Sequence, residues 1–540
     1  MMIACLIVGC GGPSQPQEPS EPARVAERVP AKATASEQAK LHADRRGSPA
    51  PAETPDRRSP TGLETSGQSR ARPDEPPARR RDGAGPGPVA EQDPRGSEEA
   101  RRAPDDRPQP QRVPSLADLL EVPDGASRWV PDLVRMEVDE ARAAAAGIRK
   151  LQSERLTLFT DLEPDEEVDV LPEVFRQAFT QWCEYLGVDP ADHADWRATG
   201  FLMKDKEAFR RAGLVPDALP EFEHGFSRNY DLWLYEQPSA YYRRHLLLHE
   251  GTHSFMNTVL RGCGPPWYME GTAELLGTHR WHEGRLRLNY MPASRDEVPM
   301  WGRIKIVQDA FEAGHALTLQ RVIEYRPGTQ FRNEPYGWCW AAAALLDGHP
   351  RYRRPFRQLP QFVLDPGFST RFARLIGDDW DGLAEEWQVF VADLEYGYDV
   401  ARMAVDDFAP GGPLAEAGTS VRVAADRGWQ NSGLRLEAGV AYRVRASGRY
   451  QVADQPRIWW CEPGGVSIRY YKRRPLGMLL AAVRPNADGP SPLIRPIAVG
   501  LGATLRPEHS GTLFLRINDS AAELDDNAGT LTVYVRAGSG

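Results

Sequence analysis

Residues 241–260 read YYRRHLLLHEGTHSFMNTVL, and the pattern His249-Glu250-Gly251-Thr252-His253 inside them decides how the rest of the chain is read. Side chains four apart on a helix share one face, one turn apart. His249 and His253 can therefore aim two imidazole nitrogens at one zinc ion, at ~2.0–2.1 Å each. Glu250 is rotated about 100° from His249. It reaches water beside the ion rather than the ion itself, the position of a general base. The competing reading is a buried helix with two hydrogen-bonded histidines. HExxH arises by chance in a chain of this composition at roughly the percent level, so the motif needs further ligands.

A catalytic zinc takes a third protein ligand and keeps a fourth position for water. Glu270 follows His253 after sixteen intervening residues, in PPWYMEGTAELLGTH, and Glu274 lies four further on. On one helix face, one carboxylate can bind the ion. The other can accept the second ring N–H of a ligand histidine and so fix its tautomer. Spacing alone leaves open which of Glu270 and Glu274 binds and which supports. His279 competes as third ligand but reads better as a surface residue.

Outward from this block the chain runs to 540 residues with a net charge of −10. No stretch reads as a basic stripe with aromatics, which argues against nucleic acid. No apolar run reaches the ~18–20 residues needed to span a bilayer. The first residues, MMIACLIVGCGG, end a short apolar run in Ile7-Val8-Gly9-Cys10, a lipobox-like tetrapeptide. That pattern predicts residues 1–10 as a lipoprotein signal, with Cys10 lipid-modified and the protein exported and anchored at the cell envelope. Residues 11–112 are rich in Pro, Arg, Glu, Ala, Gly and Ser and poor in large apolar groups, as expected of a disordered linker. Cys183, Cys263, Cys339 and Cys461 form no CxxC pair; either disulfides or buried thiols fit them.

Folded character is expected from 113. SLADLL reads as a short helix capped by Ser115, and DEARAAAAGIRKLQ as another. ERLTLFTDL, WRATGFLMKD and NYDLWLYEQ read as strands. VDVLPEVFRQAFTQWCEYLG has helical spacing at Leu171, Phe175, Ala178, Phe179, Trp182 and Leu186. WYMEGTAELLGTHRW, YGWCWAAAALLDG, FSTRFARLIG and WDGLAEEWQVFVADLEYGYD add helices. Residues 113–410 are therefore an α+β unit, a small sheet plus a helical metal-binding part. From 418 to 540, alternating segments such as TSVRVAA, GTLFLRIND and GTLTVYVRAG separated by Gly, Pro and Asp predict an all-β sandwich.

HEGTH followed by WYMEGTAE resembles the gluzincins, zinc peptidases with two His and one Glu as ligands, of the aminopeptidase N and thermolysin-like group. The resemblance implies a zinc peptidase with His249, His253 and Glu270 as ligands and Glu250 as base. In aminopeptidase N-like enzymes the ligand Glu sits in NEG; here it sits in Met269-Glu270-Gly271. Their PYxKG stretch, whose Tyr hydrogen-bonds the oxyanion, is matched by Pro335-Tyr336-Gly337, which makes Tyr336 the candidate. Their amine-recognising GxMEN has no counterpart before His249, so endo- and exopeptidase action both stay open. Residues 150–400 are also similar to a family of exported bacterial HExxH proteins classed as peptidases by motif.

LFLRINDSAAELDDNAGTLTVYV resembles the calcium-dependent galactophilic lectin of bacteria, a small β-sandwich. The resemblance implies Ca²⁺ bound by Asp519, Asp526 and Asn527, with backbone oxygens near Glu523 and Val452, and a cell-surface glycan as partner. An acidic surface turn is the competing reading. Trp459 and Trp460 can stack on a sugar or pack in the core. Two functions follow from the sequence: a zinc peptidase tethered at the envelope, acting on a peptide or protein, or a surface carbohydrate-binding lipoprotein with an inactive or structural metal site.

Overall fold

The computed structural model describes residues 133–326, 328, 333–486 and 489–538. The expectations for Cys10, the 11–112 linker and the Ser115 helix lie outside them.

The first layer is a five-stranded sheet of β1 (Arg149–Gln152), β2 (Leu156–Thr160), β3 (Ala198–Met203), β4 (Gly225–Arg228) and β5 (Asp231–Tyr235), ordered β1-β2-β3-β5-β4. β2, β3 and β5 run parallel, while β1 and β4 are antiparallel edges. The central strand β3 is buried at every residue, as a sheet covered on both faces requires. Alternation sends Leu158, Leu232 and Leu234 into the large helical core, and Phe159, Phe201 and Trp233 into a smaller cluster on the other face.

The helices that matter for the site are α1 (Leu171–Leu186), α2 (Ala240–Phe255), α3 (Pro266–Gly277), α4 (Arg303–Glu312), α5 (Asn333–Gly348) and α6 (Trp380–Asp393). α2 starts at Ser239, whose hydroxyl accepts the Tyr242 N–H. It is buried on nearly all sides, because α1 covers one flank, α3 another, and β4 and β5 lie beneath. A π-helical turn, Met256–Leu260, follows it and ends at Arg261 with φ +66°.

Two helix expectations are corrected. In 139–152 the helix spans only Glu140–Ala145; Gly147, at φ +78°, turns the chain, and 149–152 become β1. Pairing with β2 outweighs the helical propensity of the alanine run. In 267–281 the helix stops at Gly277, and β6 (His279–His282) pairs with β7 (Arg285–Leu288) as a hairpin.

The C-terminal strands are β8 (Thr419–Ala424), β9 (Gln430–Leu436), β10 (Tyr442–Ser447), β11 (Tyr450–Ala453), β12 (Trp459–Cys461), β13 (Val466–Tyr471), β14 (Arg474–Leu476), β15 (Leu479–Arg484), β16 (Ile497–Ala498), β17 (Gly502–Leu505), β18 (Gly511–Ile517) and β19 (Thr530–Ala537). Two four-stranded sheets, β17-β10-β19-β8 and β16-β15-β18-β9, pack Val423, Val444 and Val533 against Leu436, Leu479 and Leu515. The four cysteines are free and buried, so no disulfide links the described residues.

Asp231 opens β5 at 1% exposure, with Met136 N–H donating to Oδ2 at 2.9 Å and Oδ1 without a partner. Burial pushes its carboxyl up to about 6. The folded state thus holds a proton that the unfolded chain releases near pH 4. The cost of ionising the buried group grows as pH rises towards 6 and is complete above it. Asp231→Asn should gain on the wild type by about 1–3 kcal/mol between pH 5 and pH 8. Urea midpoints at the two pH values test this, and a gap that ignores pH would refute it.

Candidate metal centre

α2 and α3 bring the sequence-selected residues together. His249, Glu250 and His253 are 0% exposed and Glu270 1%. The three donor atoms form a small triangle. His249 Nε2 lies 3.1 Å from His253 Nε2 and 3.5 Å from Glu270 Oε2, and His253 Nε2 lies 3.4 Å from Glu270 Oε2. Ligands ~2.0–2.1 Å from an ion at tetrahedral angles are separated by ~3.3–3.4 Å. The triangle therefore fits one face of a zinc tetrahedron. Burial drops His249 to about 4, which keeps its imidazole neutral. Burial pushes Glu270 upward, but His253 and His249 outweigh it and pull the carboxylate down to about 2. A neutral His249 imidazole and an ionised Glu270 carboxylate are forms that bind a cation.

Glu274 sits behind His249, with Oε1 3.5 Å from Nδ1. That is a charge contact rather than a close hydrogen bond. Arg303, on α4, donates from Nε and Nη2 to both Glu274 oxygens at 2.9 and 2.8 Å. His245 Nε2 lies 3.4 Å from the same carboxylate. His245, His249 and Glu274 also form a group of metal-ligating type. Both Glu274 oxygens are already held by a guanidinium, however, so the first triangle is the better cation site.

Glu250 lies against the edge strand β4. A Cβ at Gly225 would stand 2.8 Å from Glu250 Oε1, so the glycine makes room for the carboxylate. Burial pushes Glu250 up to about 7, against the opposing pull of His253 and of the nearby Ser227 hydroxyl. Tyr336, in the first turn of α5, is buried, with its ring centroid 6.0 Å from that of His249.

The surface expectation for His279 is corrected: it is 2% exposed, and it lies in neither cluster of metal-ligating type among the described residues. Its ring stacks on Tyr241 at 4.6 Å, and its Nδ1 lies 2.8 Å from the Gly277 carbonyl. Burial lowers it to about 3. The turn after Gly277 takes it off the face that carries Glu270 and Glu274.

Sequence reasoning missed His245, Arg303 and Gly225. The spacing His245, His249, His253 was visible as a third turn on one helix face. Arg303 carried no local signal, since 28 residues separate it from Glu274.

In the sandwich, Asn527 Nδ2 donates to Asp519 Oδ2 at 2.9 Å, and Ser520 N–H to Asp519 Oδ1 at 2.8 Å. Asn527 Oδ1 and Asp526 Oδ1 are buried without partners. Burial pushes Asp519 up to about 7 and raises Asp526, with Glu523 adding to both. Oxygen donors crowded in this way fit a hard divalent cation. The Glu523 carboxylate itself is held by Arg469. Trp459 is half-buried against the core, while Trp460 is 50% exposed beneath Arg449.

No family model matches the chain, and no curated protein matches it. Among solved structures, one similar chain is described as "EclA N-terminal domain; PllA-like lectin". It is 24% identical, over 23% of this chain and all of that chain, with a TM-score of 0.18. A likeness at that score carries no argument about this protein.

Gly251, inside the motif, lets α1 close on α2. A Cβ there would stand 2.5 Å from Phe175 Cε2 and 2.7 Å from Trp182 Cη2. Gly251→Ala should destabilise the fold by about 1–3 kcal/mol through overpacking, despite alanine's better helix propensity. Chemical denaturation checks this, and an unchanged or raised midpoint would contradict it.

Proposed function

We propose that this chain is a zinc-dependent peptidase of gluzincin type. The observation that carries the reading is the His249–His253–Glu270 triangle, whose edges match a zinc tetrahedron, with the buried Glu250 carboxylate beside it. Zinc bound there supplies Lewis-acid polarisation of a carbonyl and of water. Glu250 takes the proton of the attacking water and passes it to the leaving amine. A carboxyl raised to about 7 is suited to both transfers. Tyr336, at the His249 edge of the site, supplies the hydroxyl that steadies the developing oxyanion. Glu274, fixed by Arg303, orients His249. Burial strengthens the electrostatic contacts among the charged members of this group.

The sequence reading of Cys10 as a lipid anchor at the cell envelope belongs to this proposal and rests on the sequence alone. A hard cation such as Ca²⁺ on Asp519, Asp526 and Asn527 is proposed as well, supported by the crowded, partly unpartnered oxygens of that loop. The melting temperature should then rise on adding CaCl₂ in the wild type and stay flat in Asp519→Ala. A flat wild-type response sinks the calcium assignment.

The test of the peptidase is elemental zinc analysis with peptide-library cleavage, wild type beside Glu250→Gln. The variant should keep its zinc and lose about 10²–10⁴ in rate. A protein without zinc, or cleavage untouched by the substitution, ends the reading.

A further inference from the structure

The outer face of the sheet β17-β10-β19-β8 carries four arginines and no acid. Strand alternation fixes which side chains share that face. On β10 the exposed positions are Arg443, Arg445 and Ser447, alternating with buried Tyr442, Val444 and Ala446. On β19 the outward positions are Thr530, Thr532, Tyr534 and Arg536. On β8 they include Ser420 and Arg422. On β17 they are Gly502 and Thr504. The register sets Arg443 directly opposite Arg536 on one side and Thr504 on the other, and Arg445 opposite Tyr534.

Like charges facing each other across a strand pair, with Cβ atoms ~4.5–5.5 Å apart, destabilise a sheet. Nothing here offsets that cost. Among the described residues, Arg422, Arg443, Arg445 and Arg536 are found in no ion pair, and Arg422 donates to the Thr530 hydroxyl at 3.2 Å. This concentration of positive charge belongs to a chain whose net charge is −10. It escapes a linear reading because apolar core residues separate the arginines along each strand.

We propose that this face binds an anionic polysaccharide, a polymer bearing carboxylate or sulfate groups. Arginines two apart on a strand stand ~6.6–6.8 Å apart, and those on neighbouring strands ~4.8 Å. That is a flat grid suited to charges repeated along a sugar chain. Guanidinium groups bind carboxylate and sulfate oxygens in paired, planar fashion. The hydroxyls of Ser420, Ser447, Thr504, Thr530 and Thr532 lie among them to meet sugar hydroxyls. A bilayer is a poorer fit, since the face offers no apolar side chain for insertion. Single-stranded nucleic acid is poorer too, since base stacking needs aromatic platforms and Tyr534 is the one aromatic residue here. The Tyr534 hydroxyl is moreover tied to the Ala417 carbonyl. The site is separate from the His249 centre and does not depend on peptidase activity.

The test uses the full chain and immobilised heparin and polygalacturonate. The variant Arg422→Gln/Arg443→Gln/Arg445→Gln/Arg536→Gln is compared with a control of equal charge, Arg285→Gln/Arg287→Gln/Arg354→Gln/Arg374→Gln. The face variant should bind both polymers at least about tenfold more weakly, and the slope of log K against log salt should flatten by on the order of 3. The control should bind as the wild type does, and both should melt with the wild type. Equal losses in the two variants, no loss in the face variant, or no binding by the wild type would each overturn the proposal. So would tighter binding, through the same arginines, to phosphatidylserine vesicles or oligo-dT than to either polymer.

Discussion

The geometry of the candidate metal centre hangs on one buried ion pair, Arg303 with Glu274. Both residues are essentially excluded from solvent, and the guanidinium holds both carboxylate oxygens while its third nitrogen donates to the Trp301 carbonyl. Burial works against the Glu274 anion, yet Arg303 and His245 keep it ionised, well below the ordinary carboxylate range. Removing one partner of such a pair typically costs ~3–5 kcal/mol, because the other is left buried and unpaired. The anion so fixed faces His245 and His249, and through His249 it sets where the triangle of donors lies. Close helix packing makes this possible. A Cβ at Gly271 would stand 2.7 Å from the Cys339 carbonyl oxygen of α5, and one at Gly277 3.0 Å from His245 Cε1.

The sandwich is held to the helical part by acids in α6 and just after it, each meeting donors on the β side. Glu385 takes Arg484 and the Ser491 hydroxyl at 2.6 Å each. Asp393 takes Arg516 at 2.7 Å and also Lys472, and these cations overcome burial to keep it ionised. Glu395 Oε1 accepts from the Ser520 hydroxyl at 2.7 Å and the Ala521 N–H at 2.8 Å. Ala521 and Leu524 join the large core of the helical part. The loop carrying Asp519 and Asn527 is thus also the loop that docks the sandwich. Arg516 is only 4% exposed, so salt screens this junction weakly.

The parts legible in the sequence are those written in local period. α1, α2 and the alternating β-strands follow from spacing alone, and so does the sharing of one face by Glu270 and Glu274. Two kinds of feature were not legible. Short segments such as Arg149–Gln152 and His279–His282 look helical by neighbourhood, but they gain more from pairing with β2 and β7 than from continuing a helix. Contacts between distant segments also leave no period. Arg303 reaches Glu274 and Gly225 yields to Glu250 only once the chain has folded, and no spacing rule connects them. Gly251 and Gly271 were visible as letters of a motif. Their reason, helix-to-helix clearance, was not.

A hydrogen-bonded histidine pair in a buried helix was the competing account of His249 and His253, and proton counting bears on it. His249 Nδ1 faces the Glu274 anion, which draws the ring proton to that nitrogen. Nε2 of His249 is then a lone pair, aimed into the triangle. If His253 Nε2 carries a proton, it can serve His249 at 3.1 Å or Glu270 at 3.4 Å. If it carries none, three acceptors face one another in a site with no exposed surface to speak of. A proton can satisfy one edge of this triangle, whereas a cation at ~2.0–2.1 Å from each donor satisfies all three vertices together.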